Sequence, residues 1–202
     1  MREGTTGGLT LALAACAVAA FVAAAAGTSG AQNTNSGADG NDNAHAGRGA
    51  AVAADHKFAV AAAAGGMTEV ELGRLAAQKG ATDEVRQFGR KMADDHTKAN
   101  EELTRLAAGK GMTLPTAPDP KHASEAQKFS ALAGEKFDRE YVRMMIREHR
   151  KAVGDFQRQA SRGADPDLRA FAARTLPTLQ EHLRMIQRIS DKMALRKSGN
   201  LK

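Results

Sequence analysis

The stretch Val85 to Ala107, VRQFGRKMADDHTKANEELTRLA, decides the fold. Its apolar residues fall at Val85, Phe88, Met92, Ala99, Leu103 and Leu106. Those steps of three, four, seven, four and three trace one stripe of an amphipathic helix. The seven-residue gap holds a single stripe position, His96, directly after Asp94 and Asp95. An imidazole therefore stands where a bundle helix buries an aliphatic side chain. Either the fold gives it a partner or the chain uses it.

The same pattern extends to both sides. A first helix is expected from about Asp55 to Lys79, with Asp55 as N-cap and a stripe of Phe58, Ala62, Gly65, Leu72 and Ala76. Glu69 lies in that stripe, whereas Glu71 falls on the far side and is expected in solvent. Gly80-Ala81 makes a tight turn, and Thr82 caps the second helix, which ends near Gly109 or Gly111. The segment Gly111 to Lys121, with three prolines, reads as a loop, followed by a short helix from Ser124 to Leu132 broken at Gly134. The third helix carries Phe137, Asp138, Tyr141, Val142, Met145, Ala152, Val153 and Phe156, with His149 in their stripe. After Gly163, Asp165-Pro166 opens the fourth, which packs Leu168, Ala172, Leu179, Ile186, Ile189 and Met193 around His182. Pro177 is expected to kink it.

The fold class is therefore all-α, an up-down-up-down four-helix bundle with a short extra helix before the third. In that arrangement both tight turns lie at one end. Counting from them, Glu69, His96, His149 and His182 lie roughly 17, 23, 22 and 28 Å down the bundle. One polar residue per helix thus arrives near mid-bundle, and these four are the candidate metal ligands. Asp138 is placed near the other end and read as structural, bonding Tyr141 or the chain before its helix. Met92, Met145 and Met185 each stand one turn from a stripe histidine, and with Asp95 they are auxiliary candidates. Imidazole with thioether suits a single Cu or Zn ion. The competing reading is a polar layer satisfied by His to Glu69 or Asp95 hydrogen bonds, with methionine as ordinary core filler.

Composition agrees with the fold. Among 202 residues there is no Trp, one Tyr and only five Pro, which favours helices over sheet. Leu9 to Ala26 is an apolar run of 18 residues ahead of a small-x-small site at Ser29-Gly30-Ala31, expected to be a signal peptide over 1–31. Retention as a membrane anchor, or lipidation at Cys16, are the alternatives. Residues 32–54, rich in Gly, Asn, Ala and Ser, are expected to be a flexible linker. The bundle is expected over 55–194, with a basic tail over 195–202.

The net charge of +6 is uneven: residues 139–202 carry +8 and the remainder −2. Arg139, Arg143, Arg147, Lys151, Arg158 and Arg162 on the third helix, and Arg184, Arg188, Lys192 and Arg196 on the fourth, offer faces for an anionic envelope surface or serve solubility alone. Nucleic acid is disfavoured by the export signal and the lack of aromatic interleaving. Membrane contact is expected only through the N-terminal segment. A hydrolase or transferase is the least supported class, since there is no phosphate loop, no Ser in a nucleophile context and no cysteine in the expected mature chain.

The segments EVELGRLA from Glu69, FGRKMADDHTKANEEL from Phe88, GEKFDREYV from Gly134, the His149 helix and FAARTLPTLQEHL from Phe171 resemble a family of secreted bacterial proteins, domain of unknown function 4142. Its members often carry an outer-membrane label and are placed with the ferritin-like bundles. The resemblance covers about residues 55–194 and implies that fold, with no settled activity. With the signal peptide, the expectation is an exported protein, periplasmic, envelope-associated or extracellular, of structural, interaction or stress-related type, with a metal-binding bundle using the core histidines as the alternative. Ferritin-type di-iron centres use Glu-x-x-His pairs. Here Ala93, Ile146 and Leu179 stand three residues before the histidines, so di-iron chemistry is not expected.

Overall fold

The computed structural model describes residues 39–118 and 120–199. The expected signal peptide, its cleavage site, Cys16 and the start of the linker lie outside the described residues. Five helices follow one another: α1 (Asp39–Lys79), α2 (Asp83–Gly109), α3 (Pro120–Ser130), α4 (Gly134–Arg162) and α5 (Pro166–Gly199). There is no strand among the described residues, and no helix long and apolar enough to cross a membrane. The protein is an all-α helical bundle.

The helix boundaries differ from expectation at both ends. Residues 39–54, expected as linker, continue α1. The run Ala50-Ala51-Val52-Ala53-Ala54 is rich in strong helix formers, so a helix nucleated in the packed body extends outward through it at little cost. Residues 195–199, assigned to a tail, continue α5.

The helix directions also differ from up-down-up-down. Asp138, at the start of α4, accepts hydrogen bonds from Ala81 N (2.9 Å), Thr82 N (3.1 Å) and Thr82 Oγ1 (3.0 Å) in the α1–α2 turn. Asp55, in the body of α1, accepts from Gln159 Nε2 (2.7 Å), Ala164 N (3.2 Å) and Asp165 N (2.6 Å) at the α4–α5 turn. The two turns therefore lie at opposite ends, and α1 runs antiparallel to α4. At one end Lys110 of α2's C-cap reaches Asp165 and Asp167, and at the other Arg196 reaches Glu84, so α2 is antiparallel to α5 too. The order is up, down, down, up. The connection between Lys110 and Gly134, which carries α3, returns the chain along the bundle instead of turning it at once. Asp55 is thus not an N-cap of its own helix, and Asp138 is structural through a different partner.

Both hairpins follow one plan. Asp55 and Asp138, Gly80 and Gly163, Ala81 and Ala164, Arg86 and Arg169, and Phe88 and Phe171 are pairs of identical residues, each 83 positions apart. Arg86 Nη1 donates to Gly80 O (2.6 Å) and Ala81 O (3.0 Å), and Arg169 Nη1 donates to Gly163 O and Ala164 O (both 2.8 Å). Each hairpin's aspartate grips the other's turn. Both carboxylates are buried, and full hydrogen bonding is what makes that tolerable.

Within the first hairpin α1 and α2 meet at glycines. A Cβ on Gly73 would stand 2.7 Å from Gly89 O, and one on Gly89 would stand 2.6 Å from Gly73 O. This close approach brings Glu69, one turn before Gly73, across from His96. The α1 stripe consequently splits: Ala59, Ala63, Leu72 and Ala76 are buried, while Phe58, Ala62 and Gly65 line a cleft between α1 and α4. One apolar cluster is built on Phe88, Met92, Tyr141 and Met145, and a second on Leu103, Leu168 and Phe171.

Candidate metal centre

Three helices each bring one imidazole to the middle of the bundle: His96 from α2, His149 from α4 and His182 from α5. His149 and His182 are fully buried and His96 is 6% exposed. One ring nitrogen of each lies within 4.8 Å of the other two. The mid-bundle convergence survives the change of helix direction because mid-depth is the same height counted from either end.

The outer nitrogens fix the tautomers. His149 Nδ1 lies 3.0 Å from Met145 O, which only accepts, so Nδ1 carries the proton and donates. His182 Nε2 lies 2.8 Å from Asp95 Oδ2 and donates to it. His96 Nδ1 faces Glu69 Oε2 at 3.2 Å, and Glu69 Oε1 is 3.6 Å from His149 Nδ1. The inner nitrogens are then all lone pairs. His149 Nε2 and His182 Nδ1 stand 3.4 Å apart with no proton between them, and His96 Nε2 is buried with no hydrogen-bond partner.

The electrostatics hold that state. Burial drives His96 and His149 down to about 4, the latter against the pull of Glu69. Burial also lowers His182, partly offset by its hydrogen bond to Asp95. Burial raises Asp95, but hydrogen bonds from His182 and Lys91 outweigh it and leave the carboxyl below its ordinary value. Lys91 Nζ lies 3.0 Å from Asp95 Oδ2 and is itself raised by that contact. At neutral pH the centre therefore holds neutral imidazoles behind an ionised Asp95.

Of the residues singled out in the sequence, the three histidines come together as expected. Glu69 and Asp95 are brought in on the outer nitrogens instead of the inner ones. Met92 and Met145 are fully buried in the first apolar cluster, and Met185 packs against it. Met145 meets the site through its carbonyl. Sequence reasoning missed Lys91, although its spacing of four from Asp95 was the signal for a helical ion pair. It also missed the Gly73 and Gly89 contact, whose signal was a glycine in each of two facing stripes. Tyr141 is buried, its hydroxyl lacks a hydrogen-bond partner, and burial and then Glu69 push its pKa up.

The ten basic residues singled out on α4 and α5 are exposed, and many have acidic neighbours. Arg139 pairs with Glu135, Arg143 with Glu140, Lys151 with Asp155, and Lys192 and Arg196 with Glu84.

A family model described as a domain of unknown function, DUF4142, matches residues 40–189. The chain belongs to the DUF4142 family. That match spans every helix that contributes to the centre. None of the curated proteins matches the DUF4142 chain. A crystal structure of a DUF305 fragment from Deinococcus radiodurans is similar in fold, with a TM-score of 0.61 at 17% identity, over 69% of this chain and 96% of that one. At that identity the likeness concerns the fold alone. Membership of DUF4142 supplies no activity, so function has to be argued from the site.

Proposed function

We propose that this DUF4142 protein is exported and binds a single Cu or Zn ion through His96 Nε2, His149 Nε2 and His182 Nδ1. One observation carries the reading: three buried imidazoles converge on their inner nitrogens while the outer nitrogens of His149 and His182 are hydrogen-bonded to a carbonyl and a carboxylate and that of His96 lies 3.2 Å from Glu69. Metal-ligating histidines are oriented by such outer partners. A tetrahedral Zn–N site has nitrogens about 3.3–3.4 Å apart, and His149 Nε2 and His182 Nδ1 already stand 3.4 Å apart. A mere polar layer does not explain two facing acceptors, because neutral imidazoles in these tautomers cannot hydrogen-bond one another.

Neutral imidazole without thiolate suits Cu or Zn. The nearby carboxylates lie on the outer nitrogens, an arrangement that supports one ion and offers no carboxylate bridge for two. Export rests on the apolar run Leu9 to Ala26 and the small residues after it. The test is elemental analysis of the untagged chain after metal loading and dialysis. About one equivalent in wild type, lost in His149→Leu, is expected; no metal retained by folded wild type would sink the proposal.

A further inference from the structure

The 83-residue relation between the hairpins maps the metal centre onto a second set of positions. Glu69 and His96 map onto Ala152 and Leu179, and His149 and His182 map back onto Gly66 and Ala99. All four line a single cleft of about 980 Å³, walled by α1 and α4 and floored by α2 and α5. Where one half of the bundle places a carboxylate and three imidazoles, the other places glycine, two alanines and a leucine. Asn100 fills the place beside Gly66, Ala99, Ala152 and Leu179 line the cleft, and Glu69 and His96 line it too.

Only His96 among the three ligands lines the cleft and retains exposure, so access to the ion runs past His96. Three protein ligands leave a tetrahedral ion one open position. Apolar side chains, with Phe58, Leu103, Phe156 and Phe171 among them, make up part of the walls, and charged side chains the rest. With a divalent ion, Lys91 would offset Asp95 and Glu69 half of the ion's charge, a balance that favours an anionic head group. Lys57, Arg147, Lys151, Arg158 and Arg162 line the cleft against Asp55, Glu69, Glu148 and Asp155, a slight positive excess that favours an anion.

The geometry points to a ligand site in which a monocarboxylate with an apolar body lies in the α1–α4 cleft and its head completes the coordination of the ion. This rests on the metal reading above. Its ligand class is a medium-chain fatty acid or an organic acid of similar shape.

The test uses the full chain loaded with Co(II), whose visible bands report coordination, titrated with octanoate and, in parallel, with acetate. The two share a head and differ only in the body the cleft would bury. Octanoate is expected to shift the bands saturably, with a midpoint at least tenfold below that of acetate. Gly65→Leu fills the cleft from a helical position whose Cβ meets nothing within 4 Å, and leucine favours the helix over glycine. It is expected to raise the octanoate midpoint at least tenfold and leave acetate unchanged. Equal midpoints in wild type, bands indifferent to both acids, or an octanoate midpoint untouched by Gly65→Leu would each overturn this inference while leaving the metal site standing. Failure of Co(II) to bind at all, read by elemental analysis before any ligand is added, overturns the metal reading and this one with it.

Discussion

His149 Nε2 and His182 Nδ1 face each other at 3.4 Å, and neither carries a proton, because each ring has its hydrogen on the far nitrogen toward Met145 O or Asp95. Two opposed lone pairs in a buried site raise the energy of the metal-free fold. A bound cation would remove that cost.

Replacing a ligand should therefore separate binding from stability. His96→Leu removes a buried nitrogen that has no partner and is expected to abolish metal retention. The metal-free variant should match wild type in urea unfolding or exceed it by up to about 2 kcal/mol. A marked loss of stability would mean that His96 is satisfied in the metal-free fold.

The same rings make stability depend on pH. The fold holds His96 and His149 near 4, below the 6.5 of an unperturbed imidazole, so the unfolded chain binds protons first. Their contribution is fully present above about pH 6.5 and is lost as pH falls toward about 4. Urea midpoints of the metal-free protein should be flat from pH 7 to 8 and should fall between pH 6.5 and 4. His96→Leu should flatten part of that slope.

Asp95→Asn keeps the size of the side chain but weakens its hold on the His182 proton and its pairing with Lys91. Metal affinity should drop by about 10- to 100-fold with the fold intact, the range for an outer partner of a ligating histidine. Competition with a chromophoric chelator measures it. Unchanged affinity would show that His182 needs no orientation.

The reciprocal grip of the hairpins should be additive. Asp55→Ala and Asp138→Ala each strip hydrogen bonds from a turn at opposite ends of the bundle, so each should cost about 2–4 kcal/mol. The double variant should lose the sum, and chemical denaturation of the four proteins closes the comparison.

Gly89→Ala should cost about 1–3 kcal/mol by forcing α1 from α2, and it should weaken metal binding by moving Glu69 away from His96. Gly154→Ala is the control, since its Cβ meets nothing within 4 Å and should stabilise α4 by about 0.5–1 kcal/mol.

Much of this was written along the chain. The stripe through Val85, Phe88, Met92 and Leu103 required a helix with one buried face, and His96, His149 and His182 had to turn inward because they share such faces. Thr82 as a cap, with its hydroxyl accepting from Val85 N, and the stop at Gly163 were equally local. These features depend on residues within a turn or two of each other, where spacing and propensity decide.

Helix direction was not local. It depends on how far the segment between Lys110 and Gly134 carries the chain before α4 begins, and turn chemistry does not encode that. The roles of Asp55 and Asp138 followed from it, since each bonds to a turn more than fifty residues away. So did the division of labour at the centre. Sequence determined which side chains enter the bundle; only packing decided that Glu69 and Asp95 hold the outer nitrogens while three lone pairs face one another. The choice between the two nitrogens of a ring is made by whichever acceptor another helix brings within reach.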